Sequence, residues 1–170
     1  RHRHHGVRVH RVAVEARGLL GDRAIAAGVR PDRWYTAMYE TATAARLRLE
    51  GMMLSRIEVA EAGRLIWSVL TSEMFATTGA LRSETEDLIQ ALQRVGGAAV
   101  SALFTEEPDG RIRVSLRSKA PHVCGQDVDV AAVAAALGGG GHARAAGLRL
   151  PGPLADAQGQ VLAALQKALN

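Results

Sequence analysis

The sequence predicts an α/β domain, a mixed β-sheet flanked by helices. Three observations carry that reading. Two pairs of strand-like runs are each joined by turn residues. Helical spacings fall between and after those pairs. The apolar residues, 48% of the chain, are aliphatic rather than aromatic, since Phe, Trp and Tyr make up only 4%. Such a composition implies a packed core built mainly from Ala, Val and Leu. At 170 residues the chain is long enough for one ordinary domain, or for one domain with an extra arm.

Residues 1–23 are dense in Arg and His and lack a period, so they are expected to be irregular. His2, His4 and His5 form a cluster able to ligate a metal, although tag-like sequence without fixed structure explains it more simply. The domain is expected over residues 24–170. Asp32 is placed to cap a helix carrying Trp34, Met38, Ala42, Ala45 and Leu49, with Gly51 at its end. Ser55–Val59 and Leu65–Thr71 read as strands around a turn at Glu61, Ala62 and Gly63. Ser83-Glu84-Thr85-Glu86 reads as a capping box opening a helix to about Arg94. A second hairpin follows, Ala99–Glu106 and Arg111–Arg117, turning at Pro108-Asp109-Gly110. Asp129 is placed to cap a short helix, Val130–Leu137. Leu148–Leu150 reads as a strand and Pro153–Leu169 as a closing amphipathic helix. Helix, two strands, helix, two strands, helix, strand, helix is an order that a mixed sheet with helices packed on it satisfies.

The net charge is +4 and the pI about 10, which leans toward anionic partners, although much of the excess lies between Arg1 and Arg23. The single cysteine, Cys124, excludes an internal disulfide and argues against a Cys-based zinc site. No apolar run reaches the roughly 20 residues a membrane span needs, and the Arg/His-rich start has no apolar signal region. A cytoplasmic protein without a membrane partner follows by default.

Two places carry chemistry. Gly138, Gly139, Gly140 and Gly141, followed by His142, give a backbone free of Cβ atoms. Such a turn can aim successive N–H groups at a phosphate, more so at a helix N-terminus, where His142 would then sit. A flexible glycine loop with an incidental histidine is the plainer alternative. The second place is the end of the alternating strand. Arg117 offers a planar fork that matches a phosphate, and Ser115 and Ser118 add hydroxyls. Taken alone it also reads as a solvated strand face. If the strand end and the glycine run lie side by side, their donors converge on one anion. Asp127 and Asp129 are open to an acid/base or metal reading, but a helix cap explains Asp129 more simply. Trp34 fits core packing better than base stacking with Tyr35, and Cys124 has no partner pattern of a nucleophile.

Gly138-Gly139-Gly140-Gly141-His142 with Ala145-Ala146-Gly147 resembles the G-G-G-H-x-x-A-x-G signature of the C-terminal domain that accompanies DHH phosphoesterases. Within that superfamily the chain is similar to the branch of oligoribonucleases and phosphoadenosine-phosphate phosphatases, the nanoRNases. Met38-Tyr39-Glu40, Thr77-Thr78-Gly79-Ala80 and Val114-Ser115-Leu116-Arg117-Ser118 fit that branch, and the likeness runs from about Ala24 to Asn170.

The resemblance implies a division of labour. A partner DHH catalytic domain binds metal ions, usually manganese, and this domain holds short RNA or a nucleotide phosphate through Arg117 and the Gly138–His142 segment. The chain contains no D-H-H, and Asp22 is the sole aspartate besides Asp32 before Arg33, so no catalytic residue and no metal ligand is assigned here. A truncated gene product or an excised domain has this form. Two other readings stay open: an RNA-binding module like the C-terminal domain of alanyl-tRNA synthetases, and a structural or oligomerisation domain whose glycines only turn the chain.

Overall fold

The computed structural model describes residues 30, 33, 36 and 40–170. They fall into two units, Arg1–Ala42 and Thr43–Asn170. In the first, Arg33 and Thr36 are helical and the chain bends at Glu40, whose N–H donates to the Thr36 carbonyl at 2.9 Å. The histidine cluster, Asp32 as a cap, Trp34, Tyr35, Met38 and Tyr39 lie outside the described residues.

The second unit carries six helices and a six-stranded mixed sheet. The helices are α1 (Ala44–Leu54), α2 (Ser72–Thr78), α3 (Ile89–Gln93), α4 (Pro121–Cys124), α5 (Val130–Ala136) and α6 (Leu154–Leu169). The strands are β1 (Glu58–Ala60), β2 (Leu65–Leu70), β3 (Val100–Glu106), β4 (Arg111–Ser118), β5 (Gly140–His142) and β6 (Ala145–Pro151), ordered β1-β2-β3-β4-β6-β5. β2 and β3 run parallel and every other pair is antiparallel. Two apolar layers sandwich the sheet. On one face Ile112, Val114, Leu116, Ala146 and Leu148 pack with Val130 and Val133 of α5 and Val161 and Leu165 of α6. On the other, Ile66 and Leu103 pack with Leu49 and Met53 of α1, Met74 and Phe75 of α2, and Ile89 and Leu92 of α3. Among the described residues, no helix is long and apolar enough to cross a membrane.

Several local expectations are met. Glu61, Ala62 and Gly63 turn the first hairpin with φ of 52°, 53° and 91°. Asp129 caps α5, its carboxylate accepting the Ala131 and Ala132 N–H groups at 2.8 and 3.1 Å. The second hairpin and the closing helix stand within a few residues of where the pattern puts them.

Others need correction. The helix expected to run from Asp32 to Gly51 instead restarts at Ala44. Thr43 caps it, accepting the Arg46 N–H at 3.0 Å. It continues through Gly51 to Leu54, which brings Met53 as well as Leu49 into the core. Burying Met53 outweighs the roughly 1 kcal/mol that an interior glycine costs.

The helix expected to open at the Ser83–Glu86 capping box is also delayed. Arg82–Glu84 forms a single 3-10 turn, and α3 begins only at Ile89. Glu84 is drawn elsewhere: its carboxylate accepts the Leu81 N–H at 2.8 Å and the Thr43 hydroxyl at 2.9 Å. Arg46 clamps the same segment, with two bonds to Asp87 at 2.7 and 2.8 Å and one to the Glu84 carbonyl at 3.0 Å.

The Leu81 N–H, then the Thr43 hydroxyl and the Arg46 charge, hold the Glu84 carboxyl below the ordinary carboxylate range. A carboxyl depressed in the folded state stabilises the fold above the unfolded range, and that contribution is lost as pH falls through the folded value. Glu84→Gln should therefore lower the thermal midpoint at neutral pH, with the gap to wild type closing in strong acid. Melting curves across pH check this, and a gap that persists unchanged into acid contradicts it.

Candidate functional site

The glycine run does two jobs that the sequence does not separate. Gly138 ends α5 with φ of 81°. Its N–H donates to the Ala135 carbonyl at 3.1 Å and the Gly139 N–H to the Ala134 carbonyl at 2.8 Å, the paired bonds of a Schellman helix end. Those two N–H groups are therefore spent on the helix. The chain then enters a strand. The expected helix after the glycines, with His142 at its start, does not form. Instead β5 pairs antiparallel with β6 through a turn at Ala143 and Arg144.

Gly139 and Gly141 are required by closeness. A Cβ on Gly139 would stand 2.4 Å from both the Gly147 carbonyl oxygen and the Leu148 Cβ. A Cβ on Gly141 would stand 2.5 Å from the Ala145 carbonyl oxygen, and its φ is 145°. Gly140 differs, because nothing lies within 4 Å of where its Cβ would be.

The two chemistry-bearing places do lie side by side, and the sheet register states how. β4 sets Arg117 opposite Ala145, and β5 sets His142 opposite Ala145. One step along, Ser115 faces Gly147 and Gly147 faces Gly140. Residues directly opposite across antiparallel strands share a face. Arg117, Ala145 and His142 thus form one row, and Ser115, Gly147 and Gly140 form the next. The apolar partners of the intervening row, Leu116 and Ala146, point into the core. On the site's face Gly140, His142 and Gly147 are exposed and Ser115 and Arg117 half-buried. The floor between Ser115 and Gly140 is bare backbone, with a cation at its edge. β5 is also an edge strand of the described sheet, so one side of its backbone is unpaired.

Ser118 sits differently. It is buried on the opposite face, its hydroxyl donating to the Ala143 carbonyl at 3.2 Å while its N–H donates to the Arg144 carbonyl. It ties β4 to the hairpin turn. Arg144, which the sequence reading passed over, completes that tie by bonding Asp127, the Val128 carbonyl at 3.1 Å and the Ser118 hydroxyl at 3.4 Å. Asp127 is thereby an ion-pair partner. Arg117 donates to its own neighbour's carbonyl, Leu116, at 2.9 Å, and among the described residues no carboxylate pairs with it. Cys124 is half-buried, with its thiol among the carbonyls of Lys119, Ala120 and Gln126. Among the described residues no three His, Cys, Asp or Glu side chains gather as a metal ligand set.

Residues 67–170 match the family model of the DHHA1 domain. The chain belongs to that family, the DHH-associated C-terminal domain. Its fold is similar to that of an exopolyphosphatase-related protein from Bacteroides fragilis, at 25% identity and a TM-score of 0.76, over 88% of this chain and 42% of that one. It is also similar in fold to PggH, a pGpG-specific phosphodiesterase from Vibrio cholerae, at 16% identity and a TM-score of 0.51, over 73% of this chain and 38% of that one. The chain thus spans less than half the length of either protein.

The glycines of this DHHA1 domain should separate by variant. Gly139→Ala forces the Leu148 backbone to move and should destabilise by about 1–3 kcal/mol, the range for overpacking. Gly140→Ala should melt within a degree or two of wild type. Equal midpoints for Gly139→Ala and wild type in a thermal melt would refute the close approach.

Proposed function

We propose that this chain is the substrate-gripping lobe of a DHH phosphoesterase, of the oligoribonuclease or nucleotide 3′-phosphatase kind. Its ligands are short RNA or nucleotide phosphates. The observation that carries the reading is the row Arg117–Ala145–His142 beside the bare floor Ser115–Gly147–Gly140. Arg117 presents its guanidinium to a phosphate as two parallel donors. The Ser115 hydroxyl adds a third, and His142 adds a ring N–H from across Ala145. Side chains absent at Gly140 and Gly147 let the phosphate or the sugar approach the backbone. Gly138, Gly139 and Gly141 shape that floor, and Ser118 fixes the strand that carries Arg117. The domain positions the nucleotide, and positioning is itself a large share of catalysis in phosphoryl transfer.

Metal chemistry, with manganese as the cofactor, belongs in this proposal to a DHH catalytic domain acting as partner. The described residues of this chain do not fit a two-metal site, and no step is assigned to a metal here. The likeness to an exopolyphosphatase-related protein supports the phosphoesterase reading over the alanyl-tRNA synthetase and purely structural alternatives.

Arg117→Ala should weaken binding of a short RNA by about 1.5–3 kcal/mol, the range for hydrogen bonds to a charged group. Arg117→Lys should recover only part of it. Isothermal titration of the three proteins decides, and equal affinity of the Lys variant and wild type would argue against a forked contact. Gly140→Asp should weaken binding with little loss of stability, since it adds a negative charge to the floor.

Activity gives a separate outcome. With manganese and short RNA or phosphoadenosine phosphate, the purified chain should release no product above a no-protein blank, while still binding nucleotide in a salt-dependent way. Manganese-dependent turnover that survives repurification and is lost in His142→Ala would overturn the binding-lobe reading.

A further inference from the structure

The face that carries Arg117 and His142 continues along β4 and β6. Arg113 faces Arg149 across the two strands, on the same side as Ser115 and Gly147. Arg113 is neutralised, bonding Glu107 at 2.8 Å and the Thr85 hydroxyl at 3.0 Å. Arg149 is exposed, and among the described residues no carboxylate lies within ion-pair distance of it. Its row lies four residues from the row of Arg117 and Ala145, about 13–14 Å at roughly 3.4 Å per residue of antiparallel strand. Between the two rows lie Ser115, Gly147 and Gly140, whose small side chains leave the floor open. This stretch of the face therefore has a cation at each end. Side chains several ångströms long can lean inward from both.

Resting on the proposed phosphate site, we infer that Arg149 is a second anion contact. It makes the site favour ligands with two phosphate groups separated by a nucleoside over ligands with one. One phosphate sits with Arg117 and His142, the sugar and base cross the glycine floor, and the next phosphate meets Arg149. Arg149 thus sets specificity for ligand length. β6 thus places on the site's face a cation with no carboxylate partner among the described residues, while the neighbouring Arg113 is held by Glu107.

Two probes separate the two cations, adenosine 5′-monophosphate and 5′-phosphorylated diadenylate. Their affinities are measured by calorimetry on the full chain as wild type, Arg149→Ala, Arg149→Lys and Arg117→Ala, over a series of salt concentrations. Arg149→Ala should weaken diadenylate about 3- to 5-fold, the upper part of the range for one exposed charge pair, and leave the mononucleotide within about twofold. Its log–log salt slope for diadenylate should fall by about 0.7, one single-strand phosphate contact. Arg149→Lys should restore the slope, since the charge rather than the fork is at work. A change in the thermal midpoint is not expected, because Arg149 is exposed. If Arg149→Ala treats both probes alike while Arg117→Ala weakens both, the second contact is wrong and the phosphate site stands. If Arg117→Ala affects neither probe, the phosphate site fails and the second contact falls with it.

Discussion

How near the backbone at Gly139 comes to β6 governs the rest of the exposed face. A Cβ there would meet the Gly147 oxygen and the Leu148 side chain at 2.4 Å. With glycine, the end of α5 can turn directly into β5 and lie flat against β6. That approach fixes the register, and the register in turn aligns Gly140 with Gly147 and His142 with Ala145. Were the strand one residue out of step, every side chain would exchange faces and His142 would point toward the core. The glycine run therefore works through sterics on one side of the strand and through openness on the other.

The same hairpin is anchored from beneath. Asp129 holds the N-terminus of α5, the Val130 N–H donates to the Ala143 carbonyl at 3.0 Å, and Arg144 reaches Asp127 and the Val128 carbonyl. Ser118 adds the link to β4. The row presented to solvent is thus mounted on a turn bound to two elements, which keeps the histidine and Arg117 at a set separation. A site held this way loses little entropy on binding.

Much of this was legible in the sequence because it rests on short-range chemistry. The alternation of Ile112, Val114 and Leu116 with Arg113, Ser115 and Arg117 states which face is buried. Asp129 and the Glu61–Gly63 turn follow from local hydrogen-bonding and φ requirements. What escaped depends on distant partners. Two of the three residues of β5 are glycine, a residue poorly suited to strands, and the strand forms where β6 and α5 leave room for it. Ser83–Glu86 matches a capping box locally, but Glu84 within it is drawn to Leu81 and Thr43, the latter 41 residues away. Arg149 had no signal in the sequence, since only strand pairing places it on the face of Arg117. That the two chemistry-bearing places are neighbours could be posed from the sequence as a condition, and the register answers it.

The central claim is that one anion sits on the row of Arg117, Ala145 and His142, over the floor of Ser115, Gly147 and Gly140. Titrating adenosine 5′-monophosphate into the nitrogen-15-labelled chain and following amide and arginine Nε–H shifts by NMR tests it most directly. Saturable shifts should concentrate at Gly140, His142, Ala145, Gly147 and the Arg117 Nε–H, with Gly138 and Gly139 moving little because their N–H groups serve the helix end. Shifts centred on another face, or no saturable shift on this one, would contradict it.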